Sequence, residues 1–334
     1  MVTVTGSQRP ISERRFLTSG FWSLASSLRL LHSILWFLTS GLWLLVPVAF
    51  AANSLPAARS LLLDATTVGS TIIAVGERGA IIRSTDSGQS WELLSSLTRA
   101  TLTGISFADN NRGWIVGHDG IILATRDGGL TWTQQFNNTA LSFLDVLALD
   151  PRHAIAIGAF GSFFTTDDGG TSWTQRKALE EDLHLNRLTA SVDGTLFIAG
   201  ERGTLLRTTR NLETFTAAPT GYEGSFFGVL PLGNNAVLAY GLRGHVFRSE
   251  DAEISWQPIA LETPALIMTA VKLKTSTIIL AGQARVFFVS NDDGRNFHAW
   301  QPGLTTAVAE LLEAPDDSLL AFGEAGVTRL PKPE

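Results

Sequence analysis

The sequence predicts an all-β protein, a seven-bladed β-propeller whose blades are four-stranded antiparallel sheets, preceded by an apolar N-terminal helix. Two recurring motifs predict the propeller. A loop of the type STDSGQSW, first seen at 84–91, returns at even intervals, and a Gly-x-x-Gly turn precedes it by a constant offset. The first residues of the seven turns are at positions 76, 117, 158, 200, 241, 282 and 323. A period near 40 residues with short apolar strands is typical of propeller blades.

The first 51 residues are predicted to be a signal peptide or a membrane anchor. Four arginines precede or enter the apolar run LRLLHSILWFLTSGLWLLVPVAFA, and the small residues Ala49 and Ala51 fit the cleavage rule of signal peptidase. The run is also long enough to span a bilayer if it stays uncleaved. We therefore expect the propeller, 52–334, to be exported to the periplasmic side of the inner membrane, either soluble or attached through residues 30–50.

The composition indicates a globular protein that does not bind nucleic acid. The 334-residue chain has a net charge of −6, and removal of residues 1–51 leaves 21 basic and 30 acidic residues, a net charge of −9. An acidic protein binds nucleic acid poorly unless its basic residues are clustered. There is no cysteine for a disulfide or a lipid anchor. The histidines lack the spacing of metal ligands, and no phosphate-binding loop precedes a helix, so we expect no metal and no cofactor.

Each repeat unit contains the same elements in the same order. An apolar strand such as LTGISF leads through a polar turn into a second strand such as GWIVG, and the Gly-x-x-Gly turn leads into a third. The Asp-containing loop then leads to a fourth strand, which begins at a tryptophan. The seventh unit ends at VTRLPKPE without a fourth strand. We predict that residues 53–60, just before the first blade, supply that strand and close the ring, which removes an exposed sheet edge.

The Asp-containing loops are predicted to be structural turns. An Asp carboxylate accepts hydrogen bonds from nearby backbone amides, glycine tolerates a positive φ, and the indole fills apolar space between stacked sheets. The motif drifts along the chain, since Arg210 replaces the Asp in the fourth unit, and a catalytic residue would not drift in this way. The residues assigned to these loops are Asp86, Gly88, Trp91, Asp127, Gly129, Trp132, Asp168, Gly170, Trp173, Asp251, Trp256, Asp292 and Gly294.

These loops and the sevenfold Gly-x-x-Gly period resemble the Asp-box (BNR) repeat propellers, and best of all the photosystem II stability and assembly factor group. The resemblance covers roughly residues 53–330. It implies an exported, non-enzymatic scaffold that holds newly made membrane-protein subunits during assembly and docks through an arginine patch. It implies a membrane protein or membrane-protein complex as partner, whose identity the sequence does not give. The oligomeric state also stays open.

Sialidases and other glycoside hydrolases share Asp boxes, so a sialidase-like hydrolase or a glycan-binding propeller is the alternative interpretation. Their chemistry needs an arginine cluster for a carboxylate, a nucleophilic tyrosine with a glutamate partner, and an acid/base aspartate. This chain has two tyrosines, Tyr222 and Tyr240. The enzymes that it resembles have six blades, whereas seven units are counted here. Both observations favour the scaffold.

The candidate site is the face of the propeller that carries the Gly-x-x-Gly turns. In this topology the turns share a face with the connections between blades, and the Asp-containing loops lie on the opposite face. Arg78, Arg202 and Arg243 occupy the third position of their turns, and Arg285 replaces the last glycine of the sixth turn. The last three belong to neighbouring units and would form a basic arc suited to carboxylates or a phosphate headgroup. Alternatively, they are solvated turn residues that pair with neighbouring glutamates.

The connection TAAPTGYEGSFFG, which we assign between the fifth and sixth blades, brings Tyr222 and Glu223 to the same face near Arg243. A tyrosine nucleophile would need a neighbouring carboxylate to activate it. Adjacent side chains point to opposite sides in an extended chain, which disfavours that role. We therefore expect Tyr222 to be an aromatic contact for a partner, since tyrosine and arginine are common in binding hot spots.

Overall fold

Short apolar strands joined by glycine turns form seven antiparallel sheets in the part of the chain that the structure describes. The computed structural model describes residues 58–251 and 255–333. Six of the sheets have four strands and one has three, and in every sheet the strands follow one another in chain order. The predicted signal peptide or anchor lies outside the described residues. Among those that are described, no helix is both long and apolar enough to cross a membrane.

The first three blades contain strands β1 to β12. Blade 1 consists of β1 (Leu62–Val68), β2 (Thr71–Gly76), β3 (Ile81–Ser84) and β4 (Glu92–Leu93). Blade 2 consists of β5 (Leu102–Phe107), β6 (Gly113–Gly117), β7 (Ile122–Thr125) and β8 (Thr133–Phe136). Blade 3 consists of β9 (Phe143–Ala148), β10 (Ala154–Gly158), β11 (Phe163–Thr166) and β12 (Thr174–Gln175).

The last four blades contain strands β13 to β27. Blade 4 consists of β13 (Leu185–Ala190), β14 (Leu196–Gly200), β15 (Leu205–Thr208) and β16 (Thr216–Ala217). Blade 5 consists of β17 (Phe226–Gly233), β18 (Ala236–Gly241), β19 (Val246–Ser249) and β20 (Gln257–Ile259). Blade 6 consists of β21 (Ile267–Lys272), β22 (Ile278–Gly282), β23 (Phe287–Ser290) and β24 (His298–Ala299), and blade 7 of β25 (Val308–Glu313), β26 (Leu319–Gly323) and β27 (Gly326–Leu330).

The hydrophobic core lies between neighbouring blades. Successive side chains of a strand point to opposite faces, so that Ile72 of β2 packs among residues of blade 7 whereas Ile73 packs among residues of blade 2. The first strand of blade 1 contacts both β5 and β25. Blades 1 and 7 therefore pack together and close the ring, and the predicted seven-bladed propeller with four-stranded antiparallel blades is confirmed.

The Asp-containing loops form one repeated network of hydrogen bonds. In the first loop the Ser84 hydroxyl donates to Asp86 over 2.8 Å, and the Ser90 backbone N–H donates to the same carboxylate over 2.9 Å. The Trp91 indole N–H donates to the Gly88 carbonyl over 3.2 Å. Hydrogen bonds from the Ser172 side chain and backbone lower the pKa of Asp168, in the third loop, to about 2. These aspartates act as fixed turn acceptors.

The same loops also join blade to blade. The Trp91 ring meets the Phe322 ring of blade 7 edge-on, with 5.9 Å between the ring centroids. A Cβ on Gly88 would lie 2.7 Å from the side chain of Leu320 in blade 7. Trp91 and Trp132 are each 6% exposed, and Trp173 and Trp256 are partly buried. The first Asp-containing loop therefore packs at the junction where the ring closes.

Blade 7 has three strands in the described part of the chain. The Val327 backbone N–H of β27 donates to the Ala58 carbonyl over 2.9 Å. A Cβ on Gly326 would meet that carbonyl, just as a Cβ on Gly79 of blade 1 would meet the carbonyl of Thr98, beyond strand four. Residues 53–57 are not described, so a fourth strand from 53–60 stays a prediction. The Ala58 contact supports it.

We predict that Gly79→Ala destabilises the protein more than Gly194→Ala, because both glycines have a left-handed φ but only Gly79 faces backbone. A Cβ at 79 would lie 2.1 Å from the Thr98 carbonyl oxygen, whereas none of the described atoms lies within 4 Å of a Cβ at 194. Left-handed strain costs each variant about 1–2 kcal/mol, and overpacking adds about 1–3 kcal/mol at 79. Urea unfolding measures the free energy of unfolding of each variant. Equal losses of stability in the two variants would show that the turn of blade 1 does not pack on the connection that contains Thr98.

Candidate binding face

The Gly-x-x-Gly turns hold their third residue in an unusual backbone conformation. In blade 1 the Ala80 backbone N–H donates to the Glu77 carbonyl over 3.0 Å, which tightens the turn between β2 and β3. The third residue then has a left-handed φ of 52° to 58° in blades 1 to 6. These residues are Arg78, Asp119, Phe160, Arg202, Arg243 and Ala284. Glycine or asparagine takes this conformation at lower cost, so the turn geometry alone does not explain arginine or phenylalanine there.

The arginines of the predicted basic arc are exposed on neighbouring blades. Arg202 pairs with Glu181 over 3.2 Å, and both side chains are more than 60% exposed, so the pair contributes little to stability. Arg243 and Arg285 are exposed as well, and the structure records no carboxylate partner for them among the described residues. Arg285 has a φ of 63°, the conformation of the glycine that it replaces. The guanidinium groups of Arg243 and Arg285 therefore have free hydrogen-bond donors.

Arg78 lies apart from this arc. It belongs to blade 1, on another part of the ring from blade 4, and it lines a cleft of about 620 Å³ together with Arg99, Leu94 and Thr98. Leu93 beside this cleft is 57% exposed. The structure thus keeps Arg202, Arg243 and Arg285 on consecutive blades and places Arg78 in a separate cleft.

The connection that contains Tyr222 links the turns of blades 4 and 5. Our assignment of TAAPTGYEGSFFG between blades 5 and 6 is wrong by one blade, because the segment runs from β16 to β17. The Tyr222 carbonyl lies 2.0 Å from a Cβ built on Gly203, next to Arg202. Its hydroxyl donates over 3.0 Å to the carbonyl of Leu242, next to Arg243. Tyr222 therefore positions the two arginine turns relative to each other.

The surroundings of Tyr222 do not resemble those of an activated nucleophile. Its ring lies 4.4 Å from the His245 ring and 5.7 Å from the Phe247 ring. Burial raises the pKa of the Tyr222 hydroxyl, which keeps it protonated. The hydroxyl is already engaged as a donor to the Leu242 carbonyl, whereas a nucleophile needs a base that accepts its proton. The geometry supports a positioning role for Tyr222 at the face.

A charged cluster at the centre of the ring was missed by the sequence analysis. Arg187 of β13 pairs with Glu310 of β25, lies 3.4 Å from Asp64 of β1, and lies 3.8 Å from Asp145 of β9. We call these four residues the central cluster. Asp64 also accepts a hydrogen bond from the Ile105 backbone over 2.8 Å. The cluster therefore joins blades 1, 3, 4 and 7.

Burial changes the protonation of the central cluster. It raises the pKa of Asp145 to about 7 and that of Glu310 to about 7, although the Arg187 guanidinium opposes both shifts. Burial raises the pKa of Asp64 in the same way. Three carboxyl groups share one guanidinium, so at neutral pH part of their charge is removed by protonation rather than by pairing.

A position in the repeat would have pointed to the central cluster. Its residues stand 12 or 13 positions before the first glycine of each turn, where the first strand skips one residue in its pairing with the second. Such a bulge redirects a side chain. The seven residues at this position are Asp64, Gly104, Asp145, Arg187, Gly228, Thr269 and Glu310. Three acids and one arginine at the same position of their repeat units would have indicated the central cluster. The sequence analysis considered only the turns and did not use this pattern.

The described residues contain no group of three or more histidine, cysteine or acidic side chains that could hold a metal ion. His118, His153, His245 and His298 belong to blades 2, 3, 5 and 6, and His184 lies in the connection from blade 3 to blade 4. His153 contacts Asp150 over 2.8 Å, and His184 contacts Glu201 over 3.3 Å. Both contacts join one histidine to one carboxylate at the surface.

Comparison with known proteins identifies the family. The family model described as photosynthesis system II assembly factor YCF48 matches residues 83–140 and 135–302. Among curated proteins, no sequence matches this chain.

Solved structures share the fold at low sequence identity. A structure of YCF48 bound to a D1 peptide is similar with a TM-score of 0.68 at 20% identity, over 83% of this chain and 94% of that chain. YCF48 from Cyanidioschyzon merolae is similar with a TM-score of 0.67 at 15% identity, over 81% of this chain and 95% of that chain. The WD40 propeller domain of Doa1 is similar with a TM-score of 0.66 at 10% identity, over 82% of this chain and 94% of that chain. At these identities the likeness shows the fold alone.

We predict that the free energy of unfolding falls as the pH rises from 5 to 8, and that Asp145→Asn makes this fall smaller. A carboxyl group whose folded pKa is near 7 binds its proton more tightly in the folded state than in the unfolded chain. Its contribution is therefore fully present below its ordinary pKa and is lost as the pH rises through 7. The expected difference between the wild type and the variant is about 1 kcal/mol or more. Urea unfolding at pH 5, 6.5 and 8 measures it.

The matched control for this prediction is Asp193→Asn. Asp193 is exposed, and hydrogen bonds from the Thr195 backbone and side chain hold its pKa below the ordinary value. Its carboxylate stays ionised from pH 5 to 8. In this variant the free energy of unfolding should therefore change with pH as it does in the wild type. If the free energy of unfolding changes with pH equally in the wild type and in Asp145→Asn, the central cluster does not take up protons between pH 5 and 8.

Proposed function

This chain belongs to the family of the photosynthesis system II assembly factor YCF48, and from that premise we propose that it is an exported, non-enzymatic scaffold that holds a segment of a membrane protein during assembly. The family model covers most of the propeller. A YCF48 protein has been seen with a D1 peptide bound, so binding a polypeptide segment is compatible with this fold. The client of this chain is a membrane protein whose identity we leave open.

The observation that carries the proposal is the arrangement of Arg202, Arg243 and Arg285 on consecutive blades of an acidic protein. Two of these guanidinium groups have no carboxylate partner among the described residues, and the third has a solvated one. Tyr222 holds the first two turns in a fixed relation. Guanidinium groups bind carboxylates through paired N–H donors, so this face suits an acidic segment of a client.

The amino-terminal sequence supports a proposal for the site of action. The basic residues, the apolar run and the small residues at 49 and 51 support export, and we propose that the propeller works on the periplasmic side of the inner membrane. Residues 30–50 would hold it near membrane clients if they remain attached. The proposed absence of enzymatic activity is supported by the family and by the hydrogen bond that engages the Tyr222 hydroxyl.

We predict that the double variant Arg202→Glu/Arg243→Glu loses its membrane client. Reversal of two charges replaces attraction to client carboxylates by repulsion, and we expect about tenfold weaker capture or more. The measurement is affinity capture of the tagged full chain from gently solubilised membranes, followed by quantitative mass spectrometry. Wild-type capture should also weaken as the salt concentration rises, since exposed charges are screened.

The matched control is Arg126→Glu/Arg210→Glu, which reverses the same number of exposed charges in loops between the third and fourth strands, on the opposite face. This control should retain the client at the wild-type level. If both double variants lose the client equally, the effect is one of net charge and the proposed face is wrong. If wild type retains no membrane protein that an unrelated tagged propeller does not also retain, the scaffold proposal fails.

A further inference from the structure

Phe160 is an exposed aromatic side chain in a backbone conformation that disfavours it. It is the third residue of the turn at 158–161 in blade 3, with φ 53° and ψ 45°. It is 73% exposed, more than any other phenylalanine, tyrosine or tryptophan among the described residues. A bulky residue with positive φ is a genuine outlier, and exposure of a phenyl ring to water is unfavourable as well. Neither property stabilises the folded protein.

The ring of Phe160 has one recorded partner on the surface. It meets the His184 ring edge-on, with 5.0 Å between the ring centroids and 88° between the ring planes. His184 lies in the connection from blade 3 to blade 4, and its Nδ1 is 3.3 Å from the Glu201 carboxylate. The contact with Glu201 thus holds the histidine in place, while most of Phe160 is exposed to solvent. Together they form a small apolar platform.

This platform is next to the basic arc. Glu201, which contacts His184, precedes Arg202 in the turn of blade 4, and Tyr222 connects that turn to the turn of Arg243. The Phe160 turn packs against the connection that contains the exposed acids Glu180, Glu181 and Asp182. The three arginines follow on blades 4 to 6, so a ligand with complementary chemistry has an apolar side chain at one end and carboxylates toward the other end. A polypeptide segment offers both groups at the required spacing.

We propose that Phe160, supported by His184, is the apolar anchor site of the binding face, and that it binds an apolar side chain of an acidic polypeptide segment of the client. This inference rests on the proposed function and adds a residue and a sequence preference to it. The left-handed backbone is common to the turns of blades 1 to 6, so the exposed phenyl ring is the feature that the fold does not explain, and aromatic anchors dominate binding energy at interfaces. The exposure of the ring is then offset in the complex.

The first test places the photo-crosslinking residue p-benzoylphenylalanine at position 160 of the full chain in its own cells. The control places it at Val192, which is fully exposed in the turn between β13 and β14 on the opposite face. We expect a crosslink at 160, and not at 192, to a client segment in which acidic residues lie on one side of an apolar residue. A crosslink from 160 only to lipid or to a second copy of this chain would overturn the proposal.

The second test titrates a synthetic peptide of the crosslinked segment against the wild type, Phe160→Gly and Val192→Gly. We expect Phe160→Gly to bind at least tenfold more weakly while unfolding at the same or a higher temperature, because glycine relieves the left-handed strain. Val192→Gly should bind as the wild type does. Wild-type affinity in Phe160→Gly would overturn the anchor but leave the scaffold proposal intact, whereas failure of wild-type capture would overturn the scaffold proposal itself.

Discussion

Each blade is a small sheet with two apolar faces, and packing against the blades on both sides is the constraint on which the rest of the structure depends. A sheet of this size has no independent stability in water. Ile72 and Ile73, adjacent in β2, pack toward blades 7 and 2 respectively, so blade 1 needs both neighbours. The contact of Trp91 with Phe322 completes the ring. The closed ring explains why the Asp-containing loop is repeated as a structural part.

Ring closure also fixes what each face of the molecule presents. The Gly-x-x-Gly turns all emerge on one face, together with the connections between blades, and in blades 1 to 6 their third residues have a left-handed backbone. A strained residue persists only where its surroundings determine its conformation, and here the packed blades on both sides of each turn do so. The fold thus supplies a rigid rim, and the identity of the third residue decides what the rim can bind.

Much of the fold was predictable because repetition is visible in one dimension. The period of the turns predicts seven blades, and the turn chemistry predicts exposed side chains at Arg202 and Arg243. The central cluster was not found, because four residues far apart in the chain meet only when the first strands converge at the centre of the ring. Phe160 was passed over because the search for charge along the turns did not consider an apolar residue. The Tyr222 connection was placed one blade too far along the chain.

The central claim is that the face carrying the Gly-x-x-Gly turns of blades 3 to 6 binds a client segment. Hydrogen exchange of the full chain, with and without the membrane protein that it retains, tests this claim most directly. We expect slower exchange in the turns and connections at 158–161, 181–184, 200–203, 219–225, 241–244 and 282–285 when the client is bound. Protection confined to the Asp-containing loops of the opposite face, or to blades 1 and 7, would contradict it.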